Sequence, residues 1–177
     1  MSKPRLATAW LDGCSGCHMS LLDMDERLIE IAQQVEVVCG PYVDIKEFPE
    51  NVDIALVEGA VSSEEDLHRI KKIRERSKLL ICMGDCALTA NVPSMRNAWE
   101  PDEVLARAYI ENATMQQQIP RTSVPRLLNR ARPVHEIVRV DIFIPGCPPS
   151  ADVLYFALTE LLAGRVPDLS SRTRFGA

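Results

Sequence analysis

The stretch "WLDGCSGCHMS", Trp10 to Ser20, places Cys14 and Cys17 on either side of a Ser-Gly pair. Thiolates are soft ligands, so a pair at this spacing suits a redox dithiol, half of a zinc site, or part of an iron–sulfur cradle. Two more cysteines lie far along the chain in short glycine-bearing loops, Cys86 in "GDCALT" and Cys147 in "PGCPPS". A four-thiolate set fits a [4Fe-4S] cluster or a zinc ion, and spacing alone does not separate them. Structural zinc more often takes two close pairs, whereas here the cysteines run two, one, one. A thioredoxin-type dithiol leaves Cys86 and Cys147 without a role, and the loop lacks that family's aromatic-Cys-Gly-Pro look. Four inert buried thiols are the remaining reading. Cys39 and Cys82 are too few for a second all-thiolate cluster, and Cys82, following Leu79, Leu80 and Ile81, reads as a small buried hydrophobe.

Loops so distant in sequence meet only if the elements before them lie side by side. "RLATAWL" reads as a strand, and after the cysteine loop Leu21, Met24, Leu28 and Ile31 recur at helical spacing. "VEVVCGP" and "VDIALVEGAV" read as buried strands. The second leads through a capping box of Ser62 and Glu65 into a helix carrying Leu67, Ile70 and Ile73. "KLLICMGDC" and "VRVDIFIPGC" supply a fourth and fifth strand. Pro148, Pro149 and Ser150 then open a last helix that Gly164 closes. Alternating strands and helices imply an α/β fold whose parallel sheet is flanked by helices. In such a fold functional groups collect beyond the carboxyl ends of the strands. Residues 91–133 break the pattern. Apart from one helix in "PDEVLARAYI" they are proline-rich and polar and read as a surface excursion within one domain spanning 1–177. The polar tail, 168–177, is expected to be loose or docked on a partner.

Composition narrows the function classes. A chain of 177 residues, 46% of them hydrophobic, buries a sizeable core as one unit. Its net charge of -5, with scattered basic residues, argues against a nucleic-acid surface. The amino terminus shows no signal pattern and no twin arginine, and no apolar run is long enough for a membrane span. The chain is therefore expected in the cytoplasm, where reduced cysteines serve metals or redox chemistry.

Taken in order, "WLDGCSGCHMSLLD", "EGAVSSEED", "GDCALTANVPSMRN" and "VDIFIPGCPPS" resemble the small subunit of nickel-iron hydrogenases, especially the soluble NAD-reducing group. The resemblance implies a flavodoxin-like domain in which Cys14, Cys17, Cys86 and Cys147 hold one proximal [4Fe-4S] cluster. It also implies partners: a large subunit bearing the nickel-iron centre, and iron–sulfur and flavin diaphorase subunits that take the electrons to NAD. No catalytic residue is expected in this chain. Complex I carries a similar subunit, whose first two ligands are typically adjacent rather than spaced as Cys14 and Cys17 are. Ferredoxin-, viologen- and deazaflavin-linked hydrogenases have related small subunits, so NAD rests on the resemblance. The loop that holds a phosphate in flavodoxins is here "GCSGCHMS", which gives no support for a flavin in this subunit.

Several neighbours of the cysteines carry expectations too. Gly13, Gly16, Gly84 and Gly146 stand where the backbone turns tightly and aims N–H groups at sulfur, the bland alternative being ordinary strand-end turns. Glu58 follows a strand on the same crevice edge, and the resemblance places its counterpart beside the cluster, which implies a role in supporting the cluster or in handling protons, against the reading of a solvated loop acid. His18 is expected to make a polar or interface contact rather than to ligate. Trp10, Met19 and Met83 are expected to pack against core or partner, and Pro148 and Pro149 to fix the direction of the Cys147 loop.

Overall fold

The computed structural model describes residues 3–45 and 47–173. Five parallel strands form one sheet: β1 (Arg5–Trp10), β2 (Glu36–Cys39), β3 (Val52–Glu58), β5 (Ser77–Met83) and β7 (Ile142–Ile144). Two short strands, β4 (Val61–Ser63) and β6 (Leu127–Arg132), pair antiparallel beside it. The parallel strands lie in the order β2-β1-β3-β5-β7. Numbered among themselves they run 2-1-3-4-5, the flavodoxin-like order, whose switch point falls between β1 and β3.

Strand alternation divides the core into two faces. Ala55 and Val57 of β3 join Leu80 and Cys82 of β5 on one face, under Ile70 and Ile73 of α3 (Glu64–Arg76). Ile54, Leu56, Ile81 and Met83 point the other way. They meet Ile31 of α2 (Arg27–Gln34) and Leu154 and Leu158 of α6 (Ala151–Leu162). Because both faces are covered, the strands read as nearly unbroken apolar runs rather than alternating ones.

Several local expectations need correction. The helical run after the cysteine loop is two helices, α1 (Gly16–Leu22) and α2, parted where Asp25 takes a φ of 51°. "VDIALVEGAV" is β3 and β4, not one strand. At Gly59, φ is +87° and a Cβ would lie 2.7 Å from the Leu11 carbonyl carbon, so the backbone folds where only glycine fits. The capping box is Ser63 with Asp66, one residue later than the Ser62–Glu65 pair read from sequence. The strand in "VRVDIFIPGC" shrinks to three residues, while Val138 and Val140 pack against the core from outside any strand. Ser150 caps α6, so Pro148 and Pro149 precede the helix rather than start it.

The segment 91–133 is more structured than its composition suggests. It holds a 3₁₀ helix (Pro93–Ala98), then α5 (Pro101–Ala106), which widens into a π-type turn over Arg107–Glu111, and then β6. Asn97 pins β6 by exchanging two hydrogen bonds with the Ala131 backbone, at 2.8 and 2.9 Å, as a neighbouring strand would. The tail also docks on its own chain as far as Thr173: Leu169 packs on the core, Arg172 stacks 3.8 Å over the Phe156 ring, and Thr173 donates to the Pro145 carbonyl. The rest of the expected tail, 174–177, lies outside the described residues.

Candidate metal centre

All four loop cysteines follow carboxyl ends of parallel strands. Cys14 and Cys17 follow β1, Cys86 follows β5 at the start of α4 (Asp85–Thr89), and Cys147 follows β7. Glu58 is the last residue of β3 and adjoins the same crevice at the switch point. The fold thus brings together residues up to 133 positions apart, from Cys14 to Cys147.

Backbone contacts lock these loops to one another. Gly84 donates to the Ile144 carbonyl, Asp85 N–H to the Gly146 carbonyl, and Gly146 N–H returns to the Asp85 carboxylate, each at 2.8 Å. Ser20 Oγ, on α1, donates to the Pro149 carbonyl at 2.5 Å and ties the first loop to the Cys147 loop, whose Cys147–Pro148 bond is cis. Gly84 makes room for Cys17. A Cβ there would lie 2.1 Å from the Cys17 sulfur, and its φ of +84° suits glycine. A Cβ on Gly16 would lie 3.2 Å from the Cys14 sulfur, and one on Gly13 would lie 3.3 Å from the Gly59 Cα.

The thiols differ in their surroundings. Burial first, then the Glu58 carboxylate and a hydrogen bond to it, then the Cys86 and Cys14 sulfurs, push Cys17 far above the ordinary thiol value. Cys86 is also raised, by burial first and further by Cys147, Cys14 and Glu58, while the Val92 backbone N–H pulls it down. Cys14 and Cys147 are exposed. The Cys14 sulfur accepts from Gly16 N–H at 3.4 Å, and the Cys147 sulfur from Asn91 Nδ2 at 3.6 Å. Among the described residues no three His, Cys, Asp or Glu side chains converge tightly enough to grip a single metal ion. The sulfurs are neighbours around a shared space rather than a knot.

Glu58 is no solvated loop acid, being only 2% exposed. It accepts the His18 backbone N–H at 2.9 Å. The equally buried His18 ring places Nδ1 3.1 Å from the second Glu58 oxygen, out of line for a hydrogen bond, and Tyr42 packs against it edge-on. His18 therefore contacts the chain's own acid inside the molecule and does not present an interface. Met83 is in the core, whereas Trp10 and Met19 are exposed beside the site.

Sequence reasoning passed over Asp85, Asn91 and Ser20. Asp85 and Asn91 lie in the quoted "GDCALTANVPSMRN", but nothing in their types or spacing signals which distant loop they reach. Cys39, the last residue of β2, and Cys82, within β5, are buried in the core, and burial raises both thiols; for Cys39 the nearby Arg69 opposes this in part.

The family model for the NADH ubiquinone oxidoreductase 20 Kd subunit matches residues 14–161. The chain is 42% identical over 174 residues to the NAD-reducing hydrogenase HoxS subunit delta of Cupriavidus necator, covering 96% of this chain and 83% of that protein. It is 39% identical to a vhu subunit of the F420-non-reducing hydrogenase of Methanocaldococcus jannaschii, covering 92% of this chain and 57% of that protein, so it spans little more than half of that relative. Among solved structures, a chain of an NAD+-reducing [NiFe]-hydrogenase in the H2-reduced state superposes with a TM-score of 0.93 at 38% identity, covering 98% of this chain and 99% of that one. A chain of the [NiFeSe] hydrogenase of Desulfovibrio vulgaris Hildenborough, 16% identical with a TM-score of 0.61 over 92% of this chain and 60% of that one, shares the fold.

Proposed function

The chain belongs to the NADH ubiquinone oxidoreductase 20 Kd subunit family, and from its likeness within that family to an NAD-reducing hydrogenase subunit we propose that it is the small, electron-transferring subunit of an NAD-reducing [NiFe] hydrogenase. In this reading hydrogen is split on a separate large subunit, and the electrons leave through this chain toward iron–sulfur and flavin subunits that reduce NAD. Residues 1–177 form one cluster-binding domain, located in the cytoplasm with the NAD that the enzyme reduces. The observation that carries the proposal is the convergence of Cys14, Cys17, Cys86 and Cys147 at the strand ends, in a chain whose relatives are hydrogenase subunits.

These four residues would hold one [4Fe-4S] cluster, which supplies one-electron steps between two-electron hydrogen chemistry and the acceptor. The donor set fits such a group: four soft ligands, each with a neighbour that fixes its direction. The chain's own residues do the positioning. Gly84 lets the Cys17 sulfur sit against the backbone, the Asp85–Gly146 pair joins the Cys86 and Cys147 loops, and N–H groups of Gly16 and Val92 point at sulfur. Such donors stabilise the extra negative charge of a reduced cluster. Glu58, by contrast, puts a buried carboxylate beside Cys17.

Exposed apolar side chains on the adjoining segments, Trp10, Met19, Val92, Met95 and Trp99, fit a partner surface over the crevice. Among the described residues no helix is long and apolar enough to cross a membrane. Anaerobic purification of the native assembly tests the proposal. It predicts a co-purifying nickel-bearing subunit and hydrogen-dependent reduction of NAD. A colourless, iron-free chain with stoichiometric zinc contradicts it.

A further inference from the structure

Asn91 is not explained by ligation or by packing. The chain leaves α4 through Ala90, whose φ of 58° turns it back over the crevice. Asn91 is then anchored by its own backbone, its carbonyl accepting Ser94 Oγ at 2.8 Å, while Ser94 N–H bonds the Ala90 carbonyl at 2.7 Å. From this short, braced turn the side-chain Nδ2 reaches the Cys147 sulfur at 3.6 Å, across 56 residues of sequence. The next residue, Val92, aims its backbone N–H at Cys86. One turn therefore offers donors to two of the four sulfurs from two different loops.

The opposite side of the crevice carries the opposite polarity. Glu58, buried and held by the His18 backbone, sets a carboxylate near Cys17 and Cys86. A donor at sulfur favours the more negative, reduced state of an iron–sulfur group, and a carboxylate disfavours it.

We propose that Asn91, by donating its side-chain N–H to the Cys147 sulfur, raises the reduction potential of the group held by the four cysteines and so offsets Glu58. The proposal rests on the iron–sulfur reading of the site. Asn91 is a positioning and tuning residue. A single electron arrives and leaves, no bond to Asn91 forms or breaks, and the amide proton stays on nitrogen. The exposed side chain of Asn91 adds little to the core, so a change there reads on the site rather than on the fold.

The test is an EPR-monitored redox titration of the anaerobically purified assembly as the parent, Asn91→Leu and Asn91→Asp, with iron measured in each. The signal belonging to this chain is the one that Cys86→Ala removes. Asn91→Leu is expected to keep its iron and to be about tenfold less reduced at a fixed potential, about 59 mV for a one-electron couple. Asn91→Asp, which removes the donor and adds negative charge, moves further in the same direction. An unchanged or more positive midpoint in a fully loaded Asn91→Leu overturns the inference. Loss of iron from both variants also overturns it, in favour of a purely structural role. If the parent itself lacks an iron–sulfur signal, it is the proposed function that fails.

Discussion

Cys82 and Cys86 sit on one short run of chain, yet they belong to two different regions. Cys82 is inside β5, registered against Val57 of β3 and Phe143 of β7, with its side chain sealed in the core. Cys86 comes after the strand has ended, beyond the bend at Gly84, where the β1 and β7 loops close in on it. The same thiol is a space-filling hydrophobe in one place and a candidate ligand in the other. Position relative to a strand end, rather than residue type, assigns the chemistry.

The largest expected effect comes from removing a thiol on the crevice side. Cys86→Ala should strip most of the iron from the assembled enzyme and reduce hydrogen-dependent NAD reduction to background, while the sheet stays folded by circular dichroism. Intact activity in this variant would erase the distinction between the two regions. Gly84→Ala should come next. Its new methyl group would collide with the Cys17 sulfur, 2.1 Å away, and strain a φ of +84°. We expect a stability loss of about 3 kcal/mol in denaturant unfolding, together with reduced iron loading.

On the sheet side, Asp141 sharpens the comparison because it supports β5 and β7 without approaching the cysteines. Its carboxylate accepts from Leu80 N–H at 2.8 Å and from Arg74 at 2.6 Å. Burial alone would raise its pKa, but the Leu80 N–H and the Arg74 guanidinium outweigh burial and hold it below the usual carboxylate value. A lowered folded-state pKa contributes stability above the unfolded value of ~3.9 that disappears as pH falls through the folded value. Asp141→Asn should therefore cost about 2 kcal/mol near neutrality, and parent and variant should converge as unfolding is followed below pH ~4. Iron content should not change. The smallest effect belongs to Cys82→Ala: about 1 kcal/mol of stability, with iron and activity retained.

The strands that hold the site were legible because they are buried on both faces, which writes them as apolar runs such as "DIALV" and "KLLIC". The four loop cysteines were legible for the same reason, since each follows such a run. What sequence did not show depends on contacts across long separations. β6 is a polar strand, "LLNRAR", whose partners are the brief β4 and the Asn97 side chain, so it carries little signal of its own. The break between β3 and β4 at Gly59 is set by the backbone of Leu11 and Asp12, which a local window cannot contain. The sequence of His18 beside Cys17 suits a polar or interface contact without saying with what; burial against Glu58, 40 residues away, decides it.

In the proposed function the crevice cysteines hold an iron–sulfur group and the strand cysteines do not. Iron and acid-labile sulfide, counted per chain in the anaerobically purified parent, Cys82→Ala and Cys86→Ala proteins, test it most directly. About four of each are expected in the cluster borne by this chain for the parent and for Cys82→Ala, with both falling together in Cys86→Ala. Full iron in Cys86→Ala with loss in Cys82→Ala, or zinc in place of iron in all three, would contradict it.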